Sequence, residues 1–184
     1  MSELRVNKIF KESGKATGAY GGVVATYFAG KTDAEIMNDG NAFTALQKYP
    51  IRNLTFTVTP QSASNGILLM GMISHYVKTS QQAMFFIERD GVVVSPVGDE
   101  SSTRRSTFVT GQGNNDYYGT WVVKNTPFFM VDTPATTSPV TYRIVLTAEP
   151  KTNTVRINMS ERDQASTNFD ARTCSCLVGM ELSG

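Results

Sequence analysis

Apolar and polar residues alternate with a period of two in several short stretches of the chain. In residues 141–148 every second position is apolar: Tyr142, Ile144, Leu146 and Ala148. This period is typical of a β-strand with one buried face. Residues 154–160 continue it with Val155, Ile157 and Met159, and Glu149–Asn153 between them has the composition of a turn. We therefore expect these two strands to pair antiparallel.

The segment Gly66–Val77 is apolar on both of its faces. Ile67, Leu69 and Ile73 lie on one face of the predicted strand, and the other face carries Leu68, Met70 and Met72. The core of one domain covers one face, so the second needs another cover. A neighbouring sheet edge, a loop and a subunit interface are all physically reasonable. If a subunit interface covers this second face, we expect Leu68, Met70 and Met72 to lie in that interface.

The last predicted strand, residues 173–182, places both cysteines of the chain on one face. That face carries Cys174, Cys176, Val178, Met180 and Leu182. Two cysteines one residue apart on an extended strand are poorly placed for a disulfide. With no further cluster of ligands, the cysteines are expected to be buried small hydrophobes rather than a metal or redox pair.

Turn signals recur at short intervals, and the strongest is Asp90–Gly91 between two apolar runs. Short strands are also expected on either side of Asn125–Pro127, at 121–124 and 128–131. About ten or eleven short strands and hardly any helical pattern indicate an all-β, antiparallel two-sheet jelly-roll sandwich, with a barrel as the second choice.

We expect two regions: an amino-terminal attachment arm and tether over residues 1–18, and a jelly-roll domain over residues 19–184. The arm alternates Leu4, Val6 and Ile9 imperfectly and is too short to form a core. It either lies along the edge of its own domain or adds to a neighbouring molecule.

Composition narrows the class of protein. The 184 residues carry a net charge of +1, and the basic residues are scattered apart from Arg104–Arg105. This distribution indicates no nucleic-acid surface. No apolar run approaches the roughly 18 residues of a membrane helix, and the first residues lack the apolar region of a signal peptide. We expect a protein made in a cytosol that binds neither nucleic acid nor membrane.

The sequence offers no recognisable reaction centre. The only histidine, His75, follows Ser74 directly, so in a strand the two side chains point to opposite faces. No G-x-S-x-G segment or glycine-rich phosphate loop is present. No catalytic residue, cofactor or metal is therefore predicted.

A glycine- and asparagine-rich loop, Gly111–Gly119, is expected to be exposed. Its polar and aromatic residues are candidates for recognition: Gln112, Asn114, Asn115, Asp116, Tyr117 and Tyr118. The alternative, which we favour, is a long hairpin whose tyrosines pack back onto the strands.

The order of segments along nearly the whole chain resembles virion proteins of tailed phages, chiefly phages of marine bacteria, of the tail-fibre or structural type. The segments that carry the resemblance are SELRVNKI, KTDAEI, LTFTVTPQSASNGILLMGMIS, FFIERDG, VGDESSTRRSTF, TYRIVLTAE, VRINMS and ARTCSCLVGMEL. The resemblance implies a trimeric jelly-roll head, similar to tumour-necrosis-factor-like and complement-head-like domains, attached through an amino-terminal segment. Here that segment is Leu4–Ile9.

The expected function is that of a non-enzymatic structural protein of a virion. It would be a compact homotrimeric tail fibre, spike or knob that binds other virion proteins, with contact to a host-surface glycan or protein left open. The alternative is a capsid decoration or cement protein that recognises no host, and the copy number per particle separates the two. A glycan-degrading enzyme is disfavoured because no pair of carboxylates is recognisable.

Overall fold

The computed structural model describes residues 22–45, 47–78, 81–99, 106–112, 122–150, 154–163, 170 and 172–184. Their regular structure is almost entirely β. The strands are β1 (Val23–Lys31), β2 (Glu35–Ile36), β3 (Tyr49–Val58), β4 (Gly66–Val77), β5 (Gln82–Arg89), β6 (Val92–Val93), β7 (Val109–Gln112), β8 (Lys124–Asp132), β9 (Val140–Ala148), β10 (Val155–Ile157) and β11 (Ser175–Leu182). A short 3₁₀ turn, Met37–Gly40, follows β2.

The strands form two antiparallel sheets. In sheet A, β4 pairs with β8 on one side and with β11 and then β10 on the other, while β1 pairs with β11 and β2 with β10. In sheet B the order is β3, β9, β5, and β5 also pairs with β7 and β6. The chain passes from one sheet to the other before and after each of β3, β4, β8 and β9. The predicted all-β jelly-roll sandwich is confirmed.

The core lies between the sheets and follows the alternation in the sequence. Fully buried side chains from sheet A, such as Leu69 and Ile73, belong to the same cluster as Leu54 and Ile144 from sheet B. The same alternation in residues 51–59 predicts that Leu54, Phe56 and Val58 face inward. These residues and the inward set predicted for residues 141–148 do point into this cluster. The period-two pattern therefore identified the correct face of β3 and β9.

The predicted Asp90–Gly91 turn joins β5 to β6. Both residues have positive φ, 50° for Asp90 and 86° for Gly91, as a two-residue hairpin turn with the twist of the strands requires. Asp90 also accepts a hydrogen bond from the backbone N of Thr141 at 2.8 Å. The turn is thereby tied to β9.

Two predictions about strand pairing are wrong. β9 and β10 do not pair, because β9 belongs to sheet B while β10 crosses to sheet A and pairs with β4 and β2. The two short strands predicted around Asn125–Pro127 are one continuous strand, β8. Among the described residues β8 pairs with β4 alone, and an edge strand tolerates the missing N–H of Pro127.

Asn158, immediately after β10, connects separate parts of sheet A through its backbone. It is fully buried and has a φ of 62°. Its N donates to the carbonyl of Ser74 in β4 at 2.9 Å, and its carbonyl accepts from the N of Thr173 at 3.0 Å. The left-handed conformation, which asparagine tolerates better than most residues, allows both bonds.

The side chain of Asn158 makes three further hydrogen bonds. Nδ2 donates to the carbonyls of Lys31 and Asp33 at 2.8 and 3.0 Å. Oδ1 accepts from the hydroxyl of Ser175 at 2.6 Å, and that hydroxyl accepts from the N of Ser74 at 2.9 Å. One side chain therefore holds the end of β1 and the start of β11 against β4.

Ion pairs and hydrogen bonds satisfy the buried charges near the sheet ends. The fully buried Lys31 lies 2.8 Å from Asp33 and 3.0 Å from Glu35. Asp132 of β8 accepts from Arg89 of β5 and from the hydroxyl of Tyr142 in β9, both at 2.6 Å. The hydrogen bonds of Asp132 with Arg89 and Tyr142 tie sheet A to sheet B. Burial raises the pKa of Tyr142.

We expect Asn158→Ala to lower the free energy of unfolding by about 3 kcal/mol or more. It leaves the two carbonyls and the Ser175 hydroxyl without their partner, and each unsatisfied buried group costs about 1–3 kcal/mol. Chemical denaturation measures the loss. The matched control is Asn53→Ala, because Asn53 also has a positive φ, 64°, but is exposed. That change should cost only about 1 kcal/mol of backbone strain, and equal losses in the two variants would contradict the role of the buried bonds.

Candidate assembly surface

The outward side of sheet A, called here the outer A face, is formed by β1, β11, β4 and β8. Three rows of cross-strand partners run across these four strands. They are Thr26–Met180–Leu68–Val131, Phe28–Val178–Met70–Phe129 and Gly30–Cys176–Met72–Pro127. None of the side chains in these rows is charged, and all but one are apolar, glycine or cysteine. The outer A face is therefore a continuous apolar surface four strands wide.

Solvent contact is greatest at the two ends of the middle row. Phe28 on β1 is 71% exposed and Phe129 on β8 is 79% exposed. Val178 and Met70 between them are half-buried. Isolated exposed apolar residues are common, but a contiguous exposed apolar patch usually marks an interaction site.

The apolar residues of β11 point outward, which explains why the apolar surface continues without a break from β1 to β4. Along this strand Ser175, Leu177, Gly179 and Glu181 face the core, and Cys176, Val178, Met180 and Leu182 are half-exposed. The expectation that the cysteines are buried is wrong: Cys174 is exposed and Cys176 is half-exposed. The pattern gave the correct alternation, but the more polar face is the one that packs inside.

Polar residues can occupy the inward face of β11 because they have specific partners. Glu181 is fully buried and accepts hydrogen bonds from the N of Gln61 and the amide of Asn65. Gly179 leaves room for the ring of Phe56, since a Cβ there would lie 2.5 Å from the ring. These contacts fix the orientation of β11 and leave its apolar set outside.

The outer A face is closed at one end. Beyond Met72, the outward residues of β4 are Ser74 and Tyr76, and both are buried. The Ser74 hydroxyl donates to the carbonyl of Cys174 and contacts Asn125, while the Tyr76 hydroxyl donates to Glu161. Burial raises the pKa of Tyr76. Glu161 and the backbone of Cys174 thus contact the outward side of β4 at this end, and the three rows lie beyond it.

Sheet B presents a different outer surface. Glu88 is buried there between Lys48 and Arg143, at 3.3 and 2.8 Å, and the hydroxyls of Thr57 and Thr141 hydrogen-bond to each other. A depression of about 290 Å³ beside Asp90, Thr141 and Arg143 is lined by these already engaged groups. On the same side of sheet B, Met84, Phe86 and Val145 form a second apolar cluster that is buried, with Val93 packed against it. The outer side of sheet B therefore combines paired polar groups with a covered apolar cluster, whereas the outer A face leaves Phe28 and Phe129 exposed.

The predicted interface residues Leu68, Met70 and Met72 all lie in the outer A face, one in each row. The sequence did not indicate that Phe28 and Phe129 extend it, because exposed aromatic residues in strands look the same as core residues. The predicted arm residues Leu4, Val6 and Ile9 lie outside the described residues. So do Asn114, Asn115, Asp116, Tyr117 and Tyr118 of the predicted recognition loop, while Gln112 ends β7.

The described residues show where the side chains considered for catalysis or metal binding lie. Ser74 and His75 point to opposite sides of sheet A, as expected, and each has structural contacts. Among the residues described, no group of three or more histidine, cysteine, aspartate or glutamate side chains could hold a metal ion. Nor does this part of the chain contain a helix long and apolar enough to cross a membrane.

His75 is buried on the core side of β4. Its ring packs against Phe85 at 5.1 Å between centroids, and Nε2 has no hydrogen-bond partner within the described part of the chain. A Cβ at Gly111 would lie 2.4 Å from this nitrogen, so only glycine fits there. Burial lowers the pKa of His75, and the nearby charge of Lys124 lowers it further.

Comparisons with known proteins do not identify a family. No protein-family model and no curated protein match the chain. A crystal structure of dimeric latent PorU from Porphyromonas gingivalis is similar over 90% of this chain, with a TM-score of 0.36 and 10% identity. The chain spans 14% of that protein's length. A likeness at this level supports no argument about this chain.

We expect the protein to lose stability as the pH falls below 6.5, the ordinary pKa of histidine. The unfolded chain then binds a proton that the buried His75 resists, which favours unfolding by at most about 1.4 kcal/mol per pH unit. Denaturant titrations at several pH values between 8 and 5.5 measure the slope. Because His75 is the only histidine, the variant His75→Gln should flatten it, and a wild-type stability unchanged over this range would contradict the prediction.

Proposed function

We propose that the chain is a non-catalytic structural protein of a bacteriophage virion that forms a compact trimeric appendage, such as a tail fibre, spike or knob. The observation that supports it best is the outer A face. A monomer would expose this uncharged apolar surface to water, and burying it would favour assembly by roughly 25 cal/mol for each Å² removed from water.

A second copy of the same chain is the partner that this face suits. A face with many charges of one sign repels its own copies, whereas an uncharged apolar face meets a copy without that cost. Most soluble oligomers are closed and symmetric assemblies of one chain. The outer side of sheet B, where Glu88 and Arg143 form an ion pair and the apolar cluster around Phe86 is already buried, would then face solvent or other virion proteins.

The proposed location in a virion rests on the order of sequence segments, and the proposed trimer rests on that resemblance together with the outer A face. The arm at Leu4–Ile9 would attach the head to a capsid or tail protein. If the appendage contacts a host glycan or protein, the loop at 111–119 is the candidate segment for that contact. A decoration protein of the capsid would use the same trimer, and would be distinguished by a copy number that scales with the capsomers.

We expect the purified protein to have the mass of a trimer in light scattering, and Met70→Asp to reduce it to a monomer. Met70 lies in the middle row on the central strand, so a carboxylate there would be buried without a partner on assembly. The control is Val92→Asp, because Val92 is 66% exposed but lies on the β5–β6 hairpin of sheet B. A wild-type monomer, or an intact trimer of Met70→Asp, would contradict the proposed assembly.

Removal of residues 1–11 should leave a folded trimeric head that no longer joins the particle. The buried core described above is built from side chains between Ala29 and Leu177, so we expect the melting temperature to change little. Incorporation into particles, measured by complementation of a phage that lacks the protein, should be lost. If the shortened chain unfolds, or still joins the particle, the arm is not an attachment segment.

A further inference from the structure

The two most exposed aromatic residues of the outer A face stand at opposite ends of one row. Phe28 pairs with Val178, Val178 with Met70, and Met70 with Phe129. Three strand spacings of about 4.8 Å separate the ends, or about 14 Å. Phe28 and Phe129 therefore cannot cover each other within one copy, and each needs a separate cover.

The orientation of Phe28 depends on Gly30. A Cβ at Gly30 would lie 2.7 Å from Cε1 of Phe28, so the ring lies along β1 over the glycine. Gly30 faces the same side and belongs to the next row. The ring is thus held flat at the β1 edge of the outer A face, where it adds apolar area without projecting from it.

Cyclic symmetry restricts how three copies can bury this face. In a ring of three, each copy touches two neighbours through two different patches, and every contact is the same. If the outer A face supplies both patches, one is the β1 side and the other is the β8 side. The β1 side of one copy then meets the β8 side of the next.

We propose that Phe28 of each copy packs against Phe129 and Val131 of the neighbouring copy, in three equivalent contacts around the axis. This inference rests on the trimer proposed above and specifies its geometry. Large aromatic side chains buried at the centre of a contact commonly dominate its energy. Met70 and Val178, in the middle of the row, would lie nearer to the axis.

Disulfide trapping between copies tests the contact. In a background with Cys174→Ser and Cys176→Ser, a tagged Phe28→Cys chain is mixed with an untagged Phe129→Cys chain, reassembled and oxidised in air. Both positions are exposed in one copy, so the single changes should not prevent folding. We expect the mixed disulfide to predominate. A Val92→Cys chain replaces the Phe129→Cys chain in the control, and it should form no bond with position 28.

A double-mutant cycle gives a second readout. Phe28→Ala and Phe129→Ala should each raise the concentration at which the assembly half-dissociates by about tenfold or more. If the rings touch across the contact, the double variant should weaken assembly by less than the product of the two factors. Residues more than about 10 Å apart that share no partner have independent effects, so a full product would overturn the proposed pairing.

The outcomes separate this inference from the proposed function. A monomeric wild-type protein in light scattering overturns both the trimer and the contact. If the protein is a trimer but disulfides form between two copies of position 28, or between two copies of position 129, the proposed trimer is supported and the proposed contact is overturned. If the protein is a dimer with disulfides between like positions, two outer A faces pack on each other about a two-fold axis. That result also overturns the proposed contact of Phe28 with Phe129.

Discussion

A β-sandwich has one interior, and strand β4 has two apolar faces. Ile67, Leu69 and Ile73 use the interior, which leaves Leu68, Met70 and Met72 on the outside of the central strand of sheet A. The neighbouring strands enlarge this outward apolar surface. Strand β11 also directs its apolar residues outward, and β1 and β8 add Phe28 and Phe129. The need to cover this face is the constraint that motivates the proposed assembly.

The closed end of sheet A shows how the fold limits that face. Asn158 anchors the chain after β10 to the end of β1, to β4 and to β11. Glu161 and the backbone of Cys174 contact Tyr76 and Ser74 on the outward side of β4. Polar side chains face outward where they have these partners, and apolar side chains face outward along the rest of the described strand. The change occurs within β4, between Met72 and Ser74.

Much of the fold could be predicted because alternation records burial directly: β3, β9 and the two faces of β4 were assigned correctly from their pattern. The errors have a common cause. The pairing of β10 depends on Asn158 and on sheet crossing, and the inward face of β11 depends on the partners of Glu181, which come from residues more than a hundred positions away. Periodicity also cannot tell an apolar face that packs inside from one that packs on another copy, so the cysteines were expected in the core.

The edges of sheet A determine what kind of assembly its outer face can make. Pro127 removes one backbone donor from β8, and the register of β1 shifts between Val23 and Ala25. Both features discourage a further strand from pairing at the edge. Strand-by-strand growth, which leads to open fibrils, is therefore hindered at both sides of the sheet. Copies that associate through the faces instead can close on themselves, so a protein with this much exposed apolar surface can form a particle of finite size.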